Sequence, residues 1–330
     1  MTVTEPLLAV DRLTIDVDAA DGSDTRLVTE IGFTVNEGER LAIVGESGCG
    51  KSVTARALMQ LDSDVSLGGS IRFRGEELIG RPAKELTRIR GSKIAMIFQD
   101  PLSALDPTMA IGEQVSEPLI ARGVGWRSAW QRARLLLDDL GVADAARRMR
   151  AYPHEFSGGM RQRVVMALAL INEPELLIAD EPTTALDVRV QAQVLELMSD
   201  VVEQRGLALI LITHDFGVVA NMTDRALVMY AGRVAETAPV GSLLEAPQHP
   251  YSKALLNAVP RVDGPLQHRL EALPGMPPSP NQRASGCAFR TRCPVAFERC
   301  AIEVPELLPV ADHAWAACHL VSESTSRRKG

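Results

Sequence analysis

Apolar positions along the chain follow first a strand period and then a helical one. Leu8, Val10, Leu13, Ile15 and Val17 are spaced for strands, Asp21-Gly22-Ser23-Asp24 reads as a turn, and Ile31, Phe33 and Val35 alternate as a second strand. Arg40–Val44 is a short buried strand, Val53–Met59 a helix, Ile71–Arg74 a strand, Lys84–Arg90 a short basic helix and Ile94–Phe98 a buried strand. Past Asp100-Pro101 and Asp106-Pro107 the period changes. Ser128–Leu140 has helical spacing with Gly141 as its stop, and Val164–Asn172 continues as an apolar helix. Leu176–Asp180 is again a strand, a helix runs from Ala185-Leu186-Asp187 to about Gln204, and Leu207–Ile212 is a strand. Val228–Tyr230 and Arg233–Glu236 form a hairpin about Ala231-Gly232. The pattern predicts an α/β core with an antiparallel β start over residues 7–44 and a helical subdomain inserted at about 101–163. From 237 the composition shifts. Residues 260–286 are rich in Pro and Gly and read as a linker or extended arm, and Ser322–Gly330 reads as disordered. The expected domains are 1–236 and 237–330.

Between the strand at 40–44 and the helix after it stands Gly45-Glu46-Ser47-Gly48-Cys49-Gly50-Lys51-Ser52, which fits G-x-x-x-x-G-K-[ST], a phosphate-binding loop. Glycines at 45, 48 and 50 can take positive φ, so that backbone N–H groups form an anion cradle at a helix N-terminus. Lys51 can reach the β- and γ-phosphates and the Ser52 hydroxyl can ligate Mg²⁺. Cys49 needs only its backbone there and reads as a filler. Asp180 and Glu181 end an apolar strand: Asp180 would hold Mg²⁺, and Glu181 would act as general base on the attacking water. Gln99 and His214 end two further strands, Gln99 within reach of Mg²⁺ or water and His214 of the γ-phosphate. Ser157-Gly158-Gly159 precedes a helix and forms a second anion-binding terminus, which a head-to-tail pair of subunits would explain. Together these motifs imply hydrolysis of a nucleoside triphosphate.

Composition narrows the setting. The chain has 330 residues, 46% apolar, and a net charge of −7 with no basic stripe, which argues against a nucleic-acid surface. Met1–Pro6 carries neither a charged nor an apolar leader segment, so no secretory signal is expected. The longest apolar run, near 207–212, falls short of the ~18–20 residues of a membrane span. A cytosolic chain, held at a membrane only by a partner, is expected. Four of the five cysteines fall late: Cys287, Cys293, Cys300 and Cys318, with five, six and seventeen residues between them. Four thiolates suit a tetrahedral zinc site or a [4Fe–4S] cluster, and reduced, buried cysteines are the third reading.

The order of these motifs over residues 7–236 resembles the ATP-binding cassette family. That resemblance implies a P-loop NTPase (RecA-like) core with ATP-binding residues Gly45 to Val53, the Q-loop Gln99, Mg²⁺ held by Ser52, Gln99 and Asp180, and catalytic Glu181 and His214. It implies a signature at Phe156–Gln162 in which Ser157, Gly158, Gly159 and Gln162 face the ATP of a partner cassette, and a D-loop at Asp187. Gly45-Glu46-Ser47-Gly48, Gln99-Asp100-Pro101, His249–Leu256 and Gly286–Pro294 are similar to the dipeptide/oligopeptide importer ATPases, in the subunit of D type. Two departures stand out: Phe156 replaces the usual Leu, and no Tyr or Phe lies between 16 and 28, where the family stacks an aromatic on adenine. The resemblance implies ATP hydrolysis driving two membrane permease subunits, a second and paralogous ATPase subunit, an extracytoplasmic substrate-binding protein, attachment at the cytoplasmic face of the membrane, and [4Fe–4S] in the extension with zinc as the alternative. Importers of nickel or glutathione use similar ATPases. The acidic charge and the single cassette weigh against a non-transport ATPase acting on nucleic acid or ribosomes.

Overall fold

The computed structural model describes residues 5–18, 24–101, 103–184, 186–258, 273 and 275–321. The turn at 21–23, Ala185, most of the arm at 259–274 and the tail at 322–330 lie outside the described residues. Contacts divide the chain into two compact units. The first comprises Met1–Asn36, Arg40–Gly80 and Ile212–Gly330, and the second Glu37–Glu39 and Arg81–Leu211. By contacts, residues 237–330 fall in the unit that carries the phosphate loop.

In the first unit, one antiparallel sheet has the strand order Asp24–Val35, Leu8–Asp18, Val65–Phe73, Glu76–Glu77. The register slips between Val10 and Leu13 and again between Asp11 and Thr14, where Arg12 has φ 44°. The strand opposite passes there through Gly69, whose Cβ, if it had one, would stand 2.3 Å from the Arg12 carbonyl oxygen. A second row of strands runs in the order Leu308–Ala311, Ala314–Ala316, Arg233–Pro239, Arg225–Tyr230, Arg40–Val44. Arg40–Val44 lies parallel to Arg225–Tyr230, and Leu41 to Val44 are completely buried, as their unbroken apolar run requires. Arg225–Tyr230 and Arg233–Pro239 form the expected hairpin. Ala231 and Gly232 both have positive φ, the demand of a two-residue primed turn.

An apolar cluster joins the phosphate-loop strand to the extension. Ala42 and Val44 of the phosphate-loop strand pack in it with Phe216, Val228, Tyr230, Leu243, Tyr251, Phe289 and Ala314. Strand Ala314–Ala316 pairs with Arg233–Pro239 at Glu236 and Thr237, so the extension shares both core and sheet with the loop's strand. His249 caps helix Pro250–Asn257, its Nδ1 accepting from the Tyr251 N–H at 3.0 Å, and the buried Glu236 carboxylate accepts from the Gln248 and His249 N–H groups at 2.8 Å each. Arg283 donates to the Leu27 carbonyl at 2.6 Å, tying the extension to the antiparallel sheet.

The second unit carries strands in the order Ala208–Thr213, Leu176–Asp180, Ile94–Ile97, the last two parallel with Ile94 opposite Leu176. Its helices are Ala83–Ile89, Ile111–Ile120, Trp126–Asp139, Ala145–Arg148, Gly158–Leu170 and Val188–Arg205. The helical insert is therefore present. Gly112 permits its tightest approach: a Cβ there would meet Trp130 at 2.6 Å and the Met149 carbonyl at 2.7 Å. Among the described residues no helix is long and apolar enough to cross a membrane.

Candidate active site

The phosphate loop leaves its buried strand with φ 154° at Gly45, 79° at Gly48 and 106° at Gly50, the three positions where sequence called for glycine. Gly45 is the most constrained, since a Cβ would stand 2.3 Å from the Met229 carbonyl oxygen. Helix Lys51–Leu58 opens directly from Gly50, with Ser52 and Val53 half-buried in its first turn. Lys51 is only 5% exposed, and its Nζ donates to the carbonyls of Gly45 at 2.7 Å and Glu46 at 3.1 Å. The loop is thus wrapped around its own ammonium group, which marks where phosphate oxygens would be met. Ser47 and Gly48 are exposed at the mouth. Cys49 is buried, and burial pushes its thiol pKa up, as suits a filler and not a nucleophile. Its carbonyl accepts from the Gly232 N–H at 2.9 Å, so the hairpin turn supports the loop from below. His214, also in this unit, is exposed at the end of its strand. The next residue, Asp215, caps helix Phe216–Met222 by accepting from the Gly217 and Val218 N–H groups. The sequence reading missed that helix, although an Asp before an apolar run is its signal.

In the second unit, strand Leu176–Asp180 delivers Asp180 almost fully buried, and the chain turns sharply at Glu181, a non-glycine residue with φ 45°. Such a backbone costs about 1–3 kcal/mol and clusters at functional sites. Gln99 Nε2 donates to Glu181 Oε2 at 3.3 Å, and the Thr184 hydroxyl donates to the same oxygen at 2.9 Å. Gln99 and Glu181 are thus brought together as two strand ends. Thr184 is a partner that the sequence reading overlooked.

Ser157 caps helix Gly158–Leu170, its hydroxyl accepting from the Met160 N–H at 3.4 Å, and Ser157 and Gly158 are exposed. Gly159 is required by packing, since a Cβ would stand 2.4 Å from Val190 of the following helix. Asp187 caps that helix through the Val190 N–H at 3.1 Å. Phe156, the departure from Leu, is buried under the Arg148 guanidinium, 5.2 Å from the ring centroid, a cation–π contact that Leu would not make. Gln162, expected to face the partner's ATP, is 1% exposed, one turn inside the helix, and its side-chain amide has no hydrogen-bond partner among the described residues.

Cys287, Cys293, Cys300 and Cys318, from four separate places in the extension, line one small cavity with Phe297 and His319. Burial pushes the Cys287 thiol up to about 11 and raises Cys293 and Cys318 as well, and neighbouring thiols add to each shift. Cys287 is thus a neutral thiol near pH 7. Among the described residues no three His, Cys, Asp or Glu side chains stand close enough to hold a metal ion, so the expected iron–sulfur or zinc centre finds no support in their spacing. Cys287 and Cys293 pack against the apolar cluster instead.

Comparison with known proteins covers both parts of the chain. Residues 28–184 match the family described as ABC transporter, and residues 235–300 match the oligopeptide/dipeptide transporter C-terminal region. The oligopeptide transport ATP-binding protein of Salmonella typhimurium is 48% identical over 296 residues, 89% of this chain and 88% of that protein. Its counterpart in Haemophilus influenzae is 46% identical over 320 residues, 96% of this chain and 98% of that one. Among solved structures, the dimeric post-hydrolysis state of the cassette MJ0796 bound to ADP and phosphate superimposes with a TM-score of 0.63 at 27% identity, covering 71% of this chain and 98% of that one.

Proposed function

This chain belongs to the ATP-binding cassette transporters, in the oligopeptide/dipeptide branch, and on that premise we propose how its residues couple ATP hydrolysis to peptide import. It is the ATP-hydrolysing subunit of an importer of oligopeptide type. The observation that carries the mechanism is the wrapped loop. Lys51, bonded to the Gly45 and Glu46 carbonyls, exchanges those partners for β- and γ-phosphate oxygens as the N–H groups of residues 48–53 cradle the nucleotide. Ser52, Gln99 and Asp180 supply the oxygen donors that suit Mg²⁺, which neutralises phosphate charge when bound. Glu181 takes the proton of the attacking water, with Gln99 and Thr184 fixing its carboxylate. His214 contacts the γ-phosphate. Ser157, Gly158 and Gly159 offer an exposed helix N-terminus to the ATP of a second cassette, a paralogue, and Asp187 stands at the D-loop beside it.

In this reading two permease subunits at the cytoplasmic face of the membrane receive the motion, and an extracytoplasmic binding protein delivers the cargo. The oligopeptide relatives favour peptides over nickel or glutathione. The four thiols would take up [4Fe–4S], with zinc as the alternative, only by drawing closer together than they stand here, and what supports the reading is their donor chemistry and their shared cavity. Their burial means that binding would have to release protons and draw the thiols together, and iron, sulfide and zinc analysis of protein purified without oxygen tests it.

The main test compares two variants in ATP binding and turnover. Lys51→Ala loses nucleotide affinity. Glu181→Gln keeps it and loses turnover by roughly 10²-fold or more. Purified with ATP and Mg²⁺, Glu181→Gln brings down two multi-span subunits and a second cassette. Undiminished turnover in Glu181→Gln would remove that residue from its role.

A further inference from the structure

The phosphate loop contains one residue whose charge opposes its task. Glu46 places a carboxylate in a loop that must hold a polyanion, and unscreened like charges at such range weaken binding. The structure answers this from 246 positions away. Arg292 Nη1 and Nη2 donate to Glu46 Oε2 and Oε1 at 2.6 and 2.9 Å, a two-pronged pair. The Arg292 side chain is 3% exposed, and its Nη1 also lies 3.4 Å from the Tyr230 hydroxyl. The extension grips the backbone as well, since the Glu46 N–H donates to the hydroxyl of the wholly buried Tyr251 at 2.8 Å. Tyr230, Tyr251 and Phe289 form the aromatic floor beneath both contacts, with centroids 4.6 to 5.4 Å apart. Arg292 is set on that floor by its own turn, its N–H donating to the Phe289 carbonyl at 3.0 Å.

A staple that merely fastened the extension would not need the charge of Glu46 to be matched, nor its N–H to be held. We propose that Arg292 and Tyr251 are positioning residues for nucleotide: the extension neutralises Glu46 and fixes the loop's backbone, so that ATP affinity is set in part by residues far outside the cassette motifs. This rests on the reading that the loop binds ATP.

The test uses the full chain with Mg²⁺ and a fluorescent ATP analogue, with a melting curve for each variant. Arg292→Met is expected to weaken binding about tenfold, with a deficit that grows at low salt as the exposed carboxylate is less screened. Adding Glu46→Gln to Arg292→Met is expected to recover most of that loss. Tyr251→Phe keeps the ring in the core and removes only the hydroxyl, and is expected to weaken binding roughly threefold. It keeps the test readable should Arg292→Met melt early. Wild-type affinity in both Arg292→Met and Tyr251→Phe, with Lys51→Ala still losing binding, would overturn the proposal. So would a salt-independent deficit that Glu46→Gln does not relieve. A wild-type chain that binds no ATP at all would overturn the reading of the loop itself, so the two failures are distinct.

Discussion

Glu46 and Glu181 are two carboxylates that follow buried strands, and the protein treats them in opposite ways. Glu46 is gripped by a buried guanidinium at 2.6 and 2.9 Å, and its backbone by a buried hydroxyl. Glu181 is met by the amide of the exposed Gln99 at 3.3 Å and by the hydroxyl of the exposed Thr184 at 2.9 Å, on a backbone turned to positive φ. The first arrangement fixes a loop before its ligand arrives. The second leaves Glu181, the general base of the proposed mechanism, beside adjustable neutral donors at a turn of positive φ. On the proposed roles, the binding loop is preorganised by packing, whereas the carboxylate assigned to hydrolysis meets side chains that can shift.

That contrast can be broken at its rigid end first. Gly45→Ala forces a Cβ to within 2.3 Å of the Met229 carbonyl, which cannot yield without moving the hairpin. It is expected to cost about 3 kcal/mol of stability and to abolish nucleotide binding, read by melting and by titration. Gly48→Ala meets nothing within 4 Å and is expected to cost only about 1 kcal/mol, from its positive φ. Equal losses at the two sites would contradict a loop braced at its base.

A second break works through pH. His249 is buried, and burial pushes its pKa down to about 4, with Nδ1 needed as an acceptor for the Tyr251 N–H. The unfolded chain therefore binds this proton more readily. Stability is full above about pH 6.5 and is lost as the pH falls toward 4, by about 2 kcal/mol at pH 5. Burial raises the neighbouring Glu236, whose protonation acts on stability with the opposite sign. Melting curves between pH 7 and 5 are therefore read as the difference between wild type and His249→Asn, which keeps a cap acceptor and is expected to flatten the fall toward pH 5. The smallest effect belongs to the adjustable end. Thr184→Val removes one donor to Glu181 and is expected to lower turnover about threefold with melting unchanged.

The strands and helices that carry the motifs were legible because each is a local pattern. An apolar run gives Arg40–Val44, three glycines give the loop, and Ser157 announces its helix. What sequence hid is tertiary. Gln162 sits in a motif, yet helical phase turns it inward. Thr184 becomes a Glu181 partner only through the turn at φ 45°. Arg292 reads as one more arginine in a polar extension until folding brings it to Glu46, and the strand pairing of Ala316 with Glu236 likewise leaves no local trace. Ala185, at the opening of the expected D-loop, and residues 259–272 and 274 of the arm lie outside the described residues.

The pairing of Glu46 with Arg292 also sets an order of events during synthesis. A ribosome makes the loop, its strand and its helix early, but the guanidinium that balances Glu46 emerges only near the end of the 330-residue chain. Domains that fold as they are made do so from the N-terminus. Here the cassette motifs are complete long before the loop can take its final form. A product that stops short of the extension thus keeps every motif yet lacks the clamp on its phosphate loop, and on the proposal above holds ATP less tightly.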